Sequence, residues 1–223
     1  MATRRADDAN PRARADGPRA VPYNDLDLRR WKEYVGVELK PGLVEHVRGK
    51  LPPAALASDV RLLEGDSADP RVVGQVRAAL ADLGRSPAQL LILHPPYDDI
   101  IRFSDRPEDL SNSAGTEEFL AWFATAARHG YMLLDPGRFA VLVIGDRYSR
   151  GELVPLGFCY MEKMNEVGFR AKAHVVKKVE GDEVGKGRRN NLWRYRALAG
   201  GFYIFRHEYV MIFGKAGGPP CRS

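Results

Sequence analysis

Apolar and polar positions fall in blocks along this chain, and the length and period of each block separate strands from helices. Residues 34–39 (YVGVEL) are a short apolar run ending near an acid, the pattern of a buried strand. Residues 41–50 then place Leu43, Val44 and Val47 at helical spacing. A second short strand begins at Val60 and runs into a polar turn that ends at Ser67. Asp69-Pro70 opens a helix reaching about Leu83, with Val72, Val73, Val76, Ala79 and Leu80 on one face. The apolar run 90–93 is the next strand. Strand, helix, strand, helix, strand in this rhythm predicts an α/β fold with a parallel sheet and right-handed crossovers.

Further along, Thr116 is placed to cap a helix over 116–129, on which Phe119, Leu120, Phe123 and Ala127 share a face. Asp135-Pro136-Gly137 reads as a turn, and 139–144 (FAVLVI) as a fully buried strand ended by Gly145-Asp146. A helix is expected over 153–167 with Leu156, Phe158, Met161 and Met164, then strands over 169–179 and 208–213. Residues 98–112 and 180–191 are polar and read as loops, the first as an active-site loop. A short helix is expected over 25–31. Residues 1–21, rich in Arg, Ala, Asp and Pro, are expected to form a disordered arm. The domain therefore runs from about 22 to 215, with a tail at 216–223.

Composition narrows the picture. The chain has 223 residues and a hydrophobic fraction of 44%, enough for one sizeable domain with a real core. No apolar stretch reaches the 18 or so residues of a membrane span, and the N-terminal arginines precede no apolar signal region. Two cysteines, Cys159 and Cys221, make neither a disulfide framework nor a zinc site, so no metal and a reducing, cytoplasmic setting are expected. The net charge of +5 is ordinary, but its distribution is not. From Arg170 onward, Lys and Arg outnumber Asp and Glu twelve to four, which suits a polyanionic partner as well as a solvated basic face.

The sharpest chemical signal is His94-Pro95-Pro96-Tyr97, directly after the 90–93 strand. Proline donates no ladder hydrogen bond, so the strand must stop and leave His94 and Tyr97 at its carboxyl edge, where open α/β sheets bind ligands. A polar side chain and a carbonyl beside proline are acceptors for an exocyclic amino group, and Tyr97 offers a face on which a flipped base can stack. Such a site needs no metal and no covalent nucleophile; orientation and electrostatics carry the rate.

HPPY is followed in order by DDIIRFS (98–104), DLSN (109–112), VLVIGDRY (141–148), VPLGF (154–158), VVKK (175–178), LWRYRAL (192–198) and HEYVMIF (207–213). This series resembles the amino-group (N6-adenine or N4-cytosine) DNA methyltransferases of bacteria and phages over roughly 34–215. The resemblance implies a Rossmann-like S-adenosylmethionine-dependent sheet, mostly parallel with a C-terminal antiparallel strand. It implies methyl transfer from S-adenosyl-L-methionine to the amino group of adenine or cytosine in DNA. His94, Pro95, Pro96 and Tyr97 would be catalytic. Glu38 at the end of the first strand would hold the ribose hydroxyls, and Asp66 with Ser67 would face the adenine ring. Lys177, Lys178, Lys186, Arg188 and Arg189 would contact DNA phosphates, while Trp193 and Tyr195 read as core.

Two positions depart from that pattern. His94 stands where the family carries Asp, Asn or Ser; a neutral imidazole accepts a hydrogen bond from an amino group and an imidazolium does not. The family's first strand and glycine loop, resembling DPFxGxGTT, have no counterpart before YVGVEL, where Arg14 to Pro22 carries one glycine and two prolines. The expectation is a sheet lacking its first strand, with a second polypeptide supplying the cofactor loop. The competing expectation is a catalytically impaired relative that binds DNA or a partner without turnover. RNA and protein-glutamine methyltransferases also use xPPY turns, but the longer motif series favours DNA.

Overall fold

The computed structural model describes residues 33–96, 115–149, 152–178, 199–201 and 207–217. The expected arm, the helix over 25–31, the loops 98–112 and 180–191, Trp193, Tyr195 and Cys221 lie outside these residues.

Strand β1 (Tyr34–Glu38) leads through helices α1 (Pro41–Lys50) and α2 (Pro53–Ser58) to β2 (Val60–Glu64). Helix α3 (Arg71–Asp82) connects to β3 (Ala88–Leu93), and α4 (Thr116–Leu133) to β4 (Leu134–Ile144). A hairpin of β5 (Arg147–Ser149) and β6 (Glu152–Val154) precedes α5 (Leu156–Val167), β7 (Arg170–Lys178) and β8 (His207–Gly214). Among the described residues the strands form three separate sheets rather than one. β1 and β2 pair in parallel, while β3-β4-β8-β7 form a mixed sheet. In that sheet β3 and β4 are parallel, and β8 runs against both β4 and β7.

Several local expectations change. The Asp135-Pro136-Gly137 turn is a bulge inside β4: the register against β3 jumps from Ala88↔Leu134 to Leu90↔Phe139. Gly137 takes φ 78°, which only glycine adopts cheaply. Thr116 does not cap α4. Gly115 holds the N-cap position, and the Thr116 hydroxyl instead accepts a hydrogen bond from Arg147 at 3.4 Å. The helix expected from Leu153 starts at Leu156, because Glu152–Val154 pair with β5; helical periodicity cannot reveal a hairpin partner. α5 closes on Gly168 at φ 115°, with the Phe169 N–H returning to the Met164 carbonyl.

The main core lies between the mixed sheet and α4 and α5. Ala140, Leu142 and Ile144 alternate along β4 onto one face, joined by Met211 and Phe213 of β8. Phe119 and Phe123 from α4 and Leu156, Tyr160 and Met164 from α5 complete it. Tyr160 is its centre, with edge-on rings at 4.3 Å (Phe123) and 5.9 Å (Phe119). Each such side chain stabilises the fold by about 1.5–3 kcal/mol through burial. The β1–β2 layer is held differently. Arg85, just before β3, bridges to Glu33, just before β1, at 2.9 Å. The Ser67 carbonyl lies 2.9 Å from Nδ1 of His129 on α4.

Candidate active site at the carboxyl edge of the sheet

Strand direction brings chemically distinct groups to one edge. β3 ends at Leu93 and β4 at Ile144, so His94 and Asp146 follow at their carboxyl ends. Because β8 is antiparallel, its first residues arrive at the same edge: Tyr209 lies opposite Ile144, Glu208 opposite Lys177 and His207 opposite Lys178. His94, Asp146, Lys177, His207, Glu208 and Tyr209 thus gather from four strands.

His94 is exposed at the surface, yet enough protein surrounds its ring for desolvation to lower its pKa below the ordinary histidine value. Glu208 opposes that shift and Lys177 reinforces it. The imidazole is therefore biased to the neutral form, the one that can accept a hydrogen bond. The next two residues are anchored from below. The buried Tyr160 hydroxyl donates to the Pro96 carbonyl at 3.3 Å, tying the proline turn to the centre of the core. Tyr97 lies outside the described residues.

Asp146 organises the neighbouring tip. One carboxylate oxygen accepts the Gly157 N–H at 3.0 Å, the other the Tyr209 hydroxyl at 2.9 Å. Gly157 is the second residue of α5, and Pro155 at the N-cap has no side-chain acceptor, so Asp146 caps that helix from another strand. The His207 ring nitrogen Nε2 lies 3.4 Å from the Tyr209 hydroxyl. Burial, then the Asp146 carboxylate, raise the Tyr209 pKa, so it stays protonated.

The expected cofactor residues sit on the other layer. Glu38 ends β1, and its Oε1 accepts the Lys40 N–H at 3.0 Å. Asp66 follows β2, and its Oδ1 accepts the Ala68 N–H at 2.8 Å. Each carboxylate thus shapes its own turn with one oxygen. Of the expected phosphate contacts, Lys177 is part-buried and lies 3.4 Å from Glu208, close enough to His94 to act on its charge. Lys178 is exposed on β7, and Lys186, Arg188 and Arg189 lie outside the described residues. Asp146, His207, Glu208 and Tyr209 stand within the motif series and Tyr160 outside it, but none of the five is singled out as a site residue by the sequence. Their signal was position alone, polar groups at strand ends, and only the antiparallel β8 shows that they share an edge. Among the described residues no cluster of three His, Cys, Asp or Glu could hold a metal ion, and no helix is long and apolar enough to cross a membrane.

No protein-family model and no curated protein sequence matches the chain. Solved structures do. The TTHA0409 protein of Thermus thermophilus, assigned provisionally as a DNA modification methylase and solved with S-adenosyl-L-methionine, is 19% identical. That match covers 71% of this chain and 56% of the other, with a TM-score of 0.45. The cytosine-N4-specific PvuII DNA methyltransferase is 19% identical over 63% of this chain and 48% of its own, TM-score 0.41. The [4+2]-cyclase SpnF is 13% identical over 83% and 68%, TM-score 0.49. The chain spans about half the length of the two DNA methylases.

Proposed function

We propose that this chain carries the substrate side of a DNA methyltransferase acting on the exocyclic amino group of adenine or cytosine. The observation that carries the reading is the tip of β3. A histidine biased to its neutral form adjoins a proline turn whose Pro96 carbonyl is fixed by a buried tyrosine. An extruded base needs this: His94 and the Pro95 carbonyl accept from its amino group, while Tyr97 stacks on its face. Asp146 and Tyr209 hold the adjacent strand ends rigid, which keeps the acceptors in place without reorganisation. The basic side chains after Arg170, among them Lys178, Lys186, Arg188 and Arg189, steer the DNA backbone.

S-adenosyl-L-methionine would supply an electrophilic methyl group. The residues present fit its nucleoside half: Glu38 and Asp66 each offer a carboxylate oxygen at the end of adjacent strands. They do not fit its methionine half, since no glycine turn stands beside β1 and β3 among the described residues. For that reason a second reading stands next to the first, in which the chain alone binds DNA and turns nothing over.

The test is transfer of labelled methyl from S-adenosyl-L-methionine to duplex DNA, run beside cofactor calorimetry. The proposal expects label in the base, lost in Tyr97→Ala while the fold persists by circular dichroism. No heat at millimolar cofactor selects the binding-only reading for the isolated chain. Wild-type turnover in Tyr97→Ala would remove Tyr97 from the site.

A further inference from the structure

The polar turn after β2 is fixed residue by residue. The Gly65 N–H bonds to the Glu38 carbonyl at 3.1 Å, which ties the ends of β1 and β2 together. The Asp66 carboxylate accepts the Ala68 N–H at 2.8 Å, and the Asp66 carbonyl accepts the Asp69 N–H at 3.1 Å. Asp69 in turn accepts the Arg71 N–H at 2.8 Å and the Arg71 Nε–H at 2.9 Å, at the start of α3. Those hydrogen bonds from Arg71 hold the Asp69 carboxyl down to about 2, so it is ionised at neutral pH. All of these bonds stay within the β1–β2 pair and the first turn of α3. They set the shape of the turn but not its place against the mixed sheet.

A further bond does set its place. The Ser67 carbonyl lies 2.9 Å from Nδ1 of His129, 62 residues further on, in the C-terminal half of α4. A carbonyl oxygen only accepts, so Nδ1 carries the proton and donates it. Phe119, Phe123 and Ala127 bury the core face of α4, which gives the imidazole a rigid base. The same ring is close enough to Asp69 to help lower its carboxyl, behind the larger effect of Arg71. His129 thus meets the turn at two points.

The other links between the β1–β2 pair and the rest of the fold are of a different kind. The Arg85–Glu33 bridge joins the amino ends of β1 and β3, away from the turn, and exposed ion pairs hold position weakly. α3 also packs against α4, but apolar burial such as that of Val72, Val73, Ala79 and Leu80 attracts without direction. A hydrogen bond is directional, and His129 makes one to the turn itself.

We infer that His129 is a positioning residue for nucleoside binding: its Nδ1–H holds the Ser67 carbonyl and so sets where Asp66 and, through Gly65, Glu38 present their carboxylates. The inference rests on the reading of Glu38 and Asp66 as nucleoside-binding residues, and on neither DNA nor methyl transfer. His129 acts through the turn rather than on the ligand.

The probe is adenosine alone, titrated into the full chain by calorimetry. His129→Ala should weaken adenosine about fivefold, the share of one partly exposed hydrogen bond, and α4 should persist because alanine is the best helix former. Asparagine carries an amide N–H near the place of Nδ1, so His129→Asn should return the affinity to within about twofold of wild type. Without ligand, hydrogen exchange at the Ala68 N–H should quicken about fivefold in the alanine variant relative to Leu142 in the core. Equal adenosine affinity in His129→Ala overturns the inference, as does an asparagine variant that recovers nothing. Weaker binding with no change at Ala68 overturns it too, since the turn would not carry the effect. No heat from millimolar adenosine with the wild type overturns it together with the nucleoside assignment of Glu38 and Asp66. Adenosine bound as expected, with no labelled methyl reaching DNA, fails the methyltransferase reading and leaves His129 in its role.

Discussion

Replacing Asp146 with alanine tests whether the carboxyl edge is held by one carboxylate. The side chain serves two donors from separate elements, the Gly157 N–H at the start of α5 and the Tyr209 hydroxyl on β8. Loss of an N-terminal helix cap costs about 1 kcal/mol. A half-buried tyrosine hydroxyl left without its acceptor adds about 0.5–1.5 kcal/mol, kept low because water reaches part of the site. Asp146→Ala should therefore destabilise by about 1.5–2.5 kcal/mol, dominated by geometry rather than net charge. Asp146→Asn keeps an acceptor for Gly157 and loses the charge beside the helix terminus, so about 0.5–1 kcal/mol is expected. With a urea dependence of about 2 kcal/mol/M, the alanine variant's midpoint moves down by about 0.8–1.2 M and the asparagine variant's by at most about 0.5 M. Tyr209→Phe closes the cycle: about 1 kcal/mol in wild type, little in the Asp146→Ala background. Equal costs of Tyr209→Phe in both backgrounds, or an alanine variant as stable as wild type, would refute the account.

Two further outcomes follow from the same residues. The His94 titration, followed by NMR, should have its midpoint below the ordinary value near 6.5, rise in Lys177→Ala and fall in Glu208→Gln. Between the lowered folded value and the unfolded one, the unfolded chain binds more protons, so stability and amino-group acceptance both decline as pH drops through that window; a midpoint above 6.5 sinks the argument. Gly157→Ala should lower the melting temperature more than Gly130→Ala. An added Cβ at 157 meets the Tyr209 ring at 2.6 Å, a ring pinned by its bond to Asp146, whereas at 130 it meets a methyl of half-buried Leu91 that can rotate away. Helix propensity favours alanine at both sites, so the reversed order in thermal melts would show that the Tyr209 ring is free to move.

The difference between what the sequence disclosed and what it hid is one of range. Periodicity is local, and it located α1 and α3, and β1, β2 and β3, to within two residues. It also placed His94 at a strand tip, since proline ends a strand by its own covalent structure. It could not see the hairpin of β5 and β6, nor that Asp135-Pro136-Gly137 bulges within a strand, because both depend on a partner far along the chain. The same limit applies to the site. Lys177 is expected to contact phosphate, and only the pairing of β7 with β8 shows that it also stands against Glu208. Among the described residues Val35 and Val37 face no strand, a pairing question that periodicity does not address.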